Sequence, residues 1–91
     1  MDFEWDPAKA ETNRKKHRVE FSEASSAFAD TLSTTFADPD HSDEKDRFIT
    51  IGMSDRGRLL IVSHTHRDDR VRLISARVAN RRERKTYEEE N

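Results

Sequence analysis

The chain has 91 residues, and 17 Lys and Arg against 19 Asp and Glu give it a net charge of −2. Leu, Ile, Val and Phe number only 17 in all, enough for one lean core in a single domain over residues 1–91, while the near-balance of charge argues against disorder. The absence of Cys excludes a disulfide framework, a thiol nucleophile and a Cys-ligated metal. The longest aliphatic run, Leu59-Leu60-Ile61-Val62, is far too short for a membrane span, and Met1-Asp2-Phe3-Glu4-Trp5-Asp6 lacks the basic-then-apolar order of a signal peptide. A cytoplasmic protein is expected.

In chain order, Asp2-Phe3-Glu4-Trp5 alternates acidic and aromatic residues, as a short strand with Phe3 and Trp5 on its buried face would. Asp6-Pro7 starts a helix, since Asp is a favoured N-cap and Pro at the first helical position forfeits no hydrogen bond. That helix is predicted to end near Lys16 or His17, its basic end complementing the helix dipole. Ser22 is the expected cap of a second, short helix with Ala24, Ala27 and Phe28 at helical spacing. The β-branched stretch Leu32–Phe36 predicts a strand, and residues 37–43 predict a polar turn.

Three further strands follow, Arg47–Met53, Arg58–His66 and Arg70–Ala76, joined by the turns Asp55-Arg56-Gly57 and Arg67-Asp68-Asp69. Such short connections make consecutive strands antiparallel neighbours. Good helix formers from about Val78 to Glu89 predict a terminal helix, completing an α+β domain: an antiparallel meander with two N-terminal helices and one C-terminal helix. Strict alternation puts Val71, Leu73, Ser75 and Arg77 on one face of the last strand and Arg70, Arg72, Ile74 and Ala76 on the other.

The charge is segregated. Residues 1–55 carry 7 basic and 13 acidic side chains, residues 56–85 carry 10 and 3, and the last six residues add three glutamates. A basic block retained in an acidic chain suggests an anionic ligand such as a nucleic-acid backbone, the plain alternative being arginines that solvate one face. The spacing His64-Thr65-His66 puts two rings on one strand face, where His17 or His41 could join a metal. No carboxylate lies on that element, so the histidines read better as proton carriers, and no metal or cofactor is expected. Glu44 and Arg47 are close enough in sequence to pair, and in a cleft they could supply a base and a phosphate-binding group.

Taken together, Phe3-Glu4-Trp5-Asp6-Pro7, Lys9, Asn13, Lys16-His17-Arg18-Val19, Phe21, Ala24, Phe28 and Asp30 resemble the BrnT family of type II toxins. So do Glu44 and Arg47, Ile51-Gly52, Leu60-Ile61-Val62, His64-Thr65, Arg67, Arg72-Leu73-Ile74-Ser75-Ala76-Arg77, and Arg82-Glu83-Arg84 with Tyr87. The resemblance implies a RelE-like ribonuclease fold and RNA cleavage that halts translation. It also implies neutralisation by a BrnA-like antitoxin, a ribbon-helix-helix-type DNA-binding protein, in a heterotetramer that represses its own operon. Operator DNA would be met only through the antitoxin. Two departures stand out: Arg18 replaces the family's usual Gly after Lys-His, and His66 stands where Glu is common before Arg67.

The functional residues implied by the resemblance are Lys16, His17, Glu44, Arg47, Arg67 and Arg77; His17, Glu44, Arg67 and Arg77 are expected to serve catalysis, and Lys16 and Arg47, together with His66 and Arg72, to hold RNA. In metal-free cleavage Arg67 and Arg77 would bind the phosphate as planar fork donors, Glu44 or His17 would activate the 2′-OH, and His17, His66 or Lys16 would protonate the leaving oxygen. A non-catalytic nucleic-acid-binding module that acts with a DNA-binding partner in autoregulation is the rival from another class. It would bind RNA with strong salt dependence and leave it uncut. A structural protein whose only function is to bind the antitoxin is the third.

Overall fold

The computed structural model describes residues 1–41 and 46–90. Its elements are β1 (Asp2–Glu4), α1 (Pro7–His17), α2 (Phe21–Ser26) running into a 3-10 turn at Ala27–Ala29, and β2 (Thr34–Ala37). A second 3-10 turn, Pro39–His41, is followed by β3 (Arg47–Met53), β4 (Leu59–Arg67), β5 (Arg70–Val78) and α3 (Arg81–Glu90). The five strands form one sheet in the order β1-β5-β4-β3-β2. The meander β2 to β5 is antiparallel, and only β1 joins in parallel, against Arg70–Arg72 of β5.

Local chemistry explains most boundaries. Asp6 caps α1 by accepting the Ala8 N–H at 2.9 Å, with Pro7 at the first position. Arg18 ends α1 in the left-handed conformation (φ 59°, ψ 32°), donating its N–H to the Arg14 carbonyl, so this chain keeps the turn expected of the family's glycine and bears the Cβ strain. The second helix begins two residues earlier than expected, with Glu20 rather than Ser22 at its cap, because Phe21 must enter the helix to reach the core. At the other end, β5 continues through Val78 to pair with Leu60, which delays α3 to Arg81. There Asn80 and Glu83 exchange side-chain to backbone hydrogen bonds of 2.9 and 2.8 Å, a reciprocal capping box.

The expected face assignment for β5 is corrected. A register shift opposite Ser63/His64 inserts one extra residue in β5 at Ile74, so alternation restarts after it. Val71, Leu73 and Ala76 therefore all join Leu60, Val62, Val19, Phe21, Ala24 and Ala27 in the core beneath α1 and α2. Arg70, Arg72, Ser75 and Arg77 fall together on the opposite face, where Ile51, Leu59, Ile61 and Tyr87 make a smaller cluster under α3.

Polar clamps supplement this thin packing. Beyond the short β1, the exposed edge of β5 is closed by Asn13 of α1, whose amide accepts from the Ala76 N–H (3.0 Å) and donates to the Ala76 carbonyl (2.9 Å), as a neighbouring strand would. The same side chain donates to Val19 at 2.9 Å. Buried Glu23 receives Arg58 and Ser54, and the Arg58 guanidinium holds its carboxyl below the usual range. Tyr87 of α3 donates to Asp30 at 2.6 Å, which pushes the phenol up to about 12.

Candidate nucleic-acid interface and active site

On the α3 face, the register aligns one row of side chains across all five strands: Asp38 at the end of β2, Arg47, Thr65, Arg72 and Glu4. This row lies beyond the apolar cluster that α3 covers. Arg67 and Arg70 form the next pair toward the β4–β5 turn, and Ser63 and Ser75 the next pair toward α3. Carboxylates stand at both ends of the row. Glu4 receives Arg72 at 2.7 Å and Arg70 at 3.7 Å, and Asp38 lies 3.7 Å from the Arg47 Nε. These pairs orient the guanidinium planes, while Arg67 is exposed and has no ion pair among the described residues. Such a floor suits a chain of phosphates, each able to take two parallel hydrogen bonds from one guanidinium.

At the β1 side of the sheet, a groove of about 390 Å³ runs between α1 and β5, lined by Lys9, Thr12, Lys16, His17, Ile74 and Ser75 among others. The bulge shapes it by turning Ile74 out of the ladder. Ser75 belongs both to this groove and to the arginine face, so the basic end of α1 and the arginine row meet along one edge of β5. His17 is half-buried there and Lys16 exposed.

Not every expected residue converges. Arg77 lies on the arginine face, but both its terminal nitrogens are held by Glu83 of α3 at 2.7 and 2.6 Å, a pair that lowers the Glu83 carboxyl pKa and raises that of the guanidinium. His66 lies on the opposite face of the sheet, its ring 5.0 Å from that of Phe48 and 5.6 Å from that of His64. Glu44 lies outside the described residues.

His64 is sealed in the core side of the sheet at 1% exposure. Its Nε2 meets Thr50 at 2.8 Å, and Thr50 meets Thr35 at 2.7 Å, while Nδ1 has no hydrogen-bond partner among the described residues. Phe28 and Phe48 pack against the ring. Burial first, and His66 second, depress its pKa to about 4, so the ring is neutral at physiological pH. No group of three metal-ligating side chains occurs among the described residues.

The turn expected over residues 37–43 holds a site residue that the sequence did not single out, Asp38. Asp38 is 5% exposed. Its carboxylate accepts the Asp40 N–H at 3.0 Å and meets the His41 Nδ1 at 3.0 Å, and its carbonyl accepts the His41 N–H at 3.2 Å. The signal was present in Asp38-Pro39-Asp40-His41, an Asp that turns the chain back on itself before a Pro of fixed φ, but nothing in it pointed beyond a turn.

Among solved structures, the 1.1 Å crystal structure of the Brucella abortus ribonuclease toxin, BrnT, matches with a TM-score of 0.69 at 23% identity, covering 89% of this chain and 99% of that one. At this identity the likeness is one of fold. No curated protein matches the chain. The family model described as ribonuclease toxin, BrnT, of type II toxin-antitoxin system matches residues 5–83, and the chain therefore belongs to the BrnT family of ribonuclease toxins.

Proposed function

We propose that this protein is a metal-independent endoribonuclease that cuts RNA laid across the arginine face and thereby inhibits translation in the cytoplasm. The observation that carries the reading is the row Asp38-Arg47-Thr65-Arg72-Glu4 on the part of the sheet that α3 leaves open, with Arg67 unpaired beside it among the described residues. In RNA cleavage by the 2′-OH, charge accumulates on the equatorial oxygens of a phosphorane-like transition state, where oriented guanidinium groups act most strongly. Arg47, Arg67 and Arg72 are assigned to the phosphate being cut and its immediate neighbours along the row. Arg77 would have to give up Glu83 to take part, so its contribution includes holding α3 in place.

Lys16 and His17 extend the site through Ser75, with His17 or Glu44 as base and Lys16 or His17 as acid. His66, on the far face, suits an RNA segment that passes over the end of β4. The architecture, helices on a largely antiparallel sheet, is the one expected of a RelE-like ribonuclease. Leu32, Phe36 and Val78 keep large apolar side chains exposed, which favours a protein partner. That partner would be a BrnA-like ribbon-helix-helix antitoxin, assembled with the toxin in a heterotetramer that represses its operon.

The test is cleavage of RNA by the purified protein in excess EDTA. We expect cleavage to persist, and Arg67→Ala to slow it about a hundredfold, as loss of one transition-state donor does elsewhere. RNA binding with steep salt dependence but no cleavage would overturn the enzyme reading in favour of a non-catalytic nucleic-acid-binding module.

A further inference from the structure

We infer that His41, held by Asp38, is the proton acceptor for the RNA 2′-OH. The inference rests on the ribonuclease reading above and names a base different from His17 and Glu44. Among the described residues, the four histidines differ sharply in surroundings. His64 is buried and sealed from solvent. His66 faces away from the arginines and His17 has no carboxylate partner. His41 alone is paired to a carboxylate, its Nδ1 at 3.0 Å from the Asp38 Oδ2 while its side chain remains 39% exposed.

That geometry defines the chemistry. A carboxylate accepts only, so Nδ1 carries the proton of the neutral ring and donates it to Asp38, leaving the Nε2 lone pair outward as a base. The arrangement is the orienter-and-base half of a catalytic triad. Three contacts fix the ring: the side-chain bond to Asp38, the His41 N–H to the Asp38 carbonyl, and the Pro39–His41 turn itself. Asp38 is in turn immobilised by burial and by the Asp40 N–H.

The same Oδ2 that receives His41 also faces the Arg47 Nε at 3.7 Å, so one buried carboxylate aligns a base with a cation of the arginine row. Asp40 is the other charged group of this turn, and Arg47 the charged group presented by β3.

In the reaction, the 2′-hydroxyl gives its proton to His41 Nε2 as the 2′-oxygen bonds to phosphorus. The bond from phosphorus to the 5′-oxygen breaks, and that oxygen takes a proton from the general acid. The products are a 2′,3′-cyclic phosphate and a 5′-hydroxyl, and the imidazolium returns its proton to water. Asp38 is a positioning residue that fixes the tautomer and stabilises the imidazolium.

The experiment compares wild type, His41→Gln, His41→Ala and Asp38→Asn in single-turnover RNA cleavage across a pH series. A 2′-O-methyl RNA measures binding separately. His41→Gln is expected to slow cleavage by about a hundredfold or more without changing affinity, and to remove the limb of the pH profile that reports imidazole deprotonation. Imidazole in the buffer should partly restore His41→Ala, and Asp38→Asn should displace that limb.

His41 is partly exposed, so its variants keep the fold even if the change at buried Asp38 does not. A His41→Gln rate and pH profile equal to those of wild type would overturn the assignment while leaving the ribonuclease reading intact. A wild-type protein that cleaves no RNA would overturn both.

Discussion

Acidification should destabilise this protein through one buried imidazole, His64. Its pKa falls from 6.5 in the unfolded chain to about 4 in the fold. Between those values the unfolded chain binds a proton that the folded protein refuses, so stability is complete above pH 6.5, declines as pH falls below it, and stops declining near pH 4. At about 1.4 kcal/mol per pKa unit, the separation amounts to about 3 kcal/mol, a large share of the stability of a domain this size. Urea denaturation followed by circular dichroism, at a series of pH values on wild type and His64→Leu, isolates the effect. The Glu23, Asp30 and Glu83 carboxyls, whose pKa values are lowered in the fold, also weaken the protein in acid, but equally in both chains. Leu removes the orphaned Nδ1 as well as the charge, and Thr50 keeps Thr35 as partner. The stability difference should be constant above pH 6.5 and then shift by about 3 kcal/mol in favour of the variant by pH 4. Parallel curves throughout would refute the reasoning.

Two further substitutions probe the devices that hold the sheet. Asn13→Ala deletes three buried hydrogen bonds and strands the Ala76 N–H and carbonyl, so denaturation should report a loss of about 3 kcal/mol, and a loss below about 1 kcal/mol would mean that water replaces the amide. Arg18→Gly relieves a side chain from φ 59° and should raise stability by about 1 kcal/mol, several degrees in Tm, with the Arg58 bond to the residue 18 carbonyl unaffected.

The readable parts of the fold were those encoded locally. β3 begins and ends where alternation from Arg47 to Met53 puts it, and α1 where Asp6-Pro7 and the Lys-His run put it. The parallel pairing of β1 with β5 brings together residues almost seventy positions apart, and no local pattern records it. α3 began later than expected because helix-forming composition from Val78 onward outweighed the Asn80-x-x-Glu83 signature that in fact starts it. The site was half readable. The basic block pointed to the arginines, but strict alternation separates Arg72 from Arg77, and only the bulge at Ile74 unites them. The pairing of His41 with Asp38 escaped notice because it is a side-chain contact, not a period.

The bulge also explains how so few apolar residues suffice. Without it, β5 would carry Ser75 and Arg77 into the core behind Leu73 and lift Ala76 into solvent on the other face. Burying an unpaired guanidinium there would cost more than the core could offset. With it, Val71, Leu73 and Ala76 all face α1 and α2, and every polar residue of that stretch faces the other way. The second face then has too little apolar area to hold a helix by burial alone. α3 is accordingly fastened by directed bonds, Tyr87 to Asp30, Glu83 to Arg77 and the Asn80 capping box, over the small cluster of Ile51, Leu59 and Ile61. Beyond that cluster the sheet offers α3 little to pack against, and among the described residues Arg47, Arg72 and Glu4 of the row stay partly exposed. The shortage of hydrophobic residues and the accessibility of the arginines are thus one property of the chain, and replacing Thr65 or Ser63 by a large aliphatic residue would extend the core at the expense of the site.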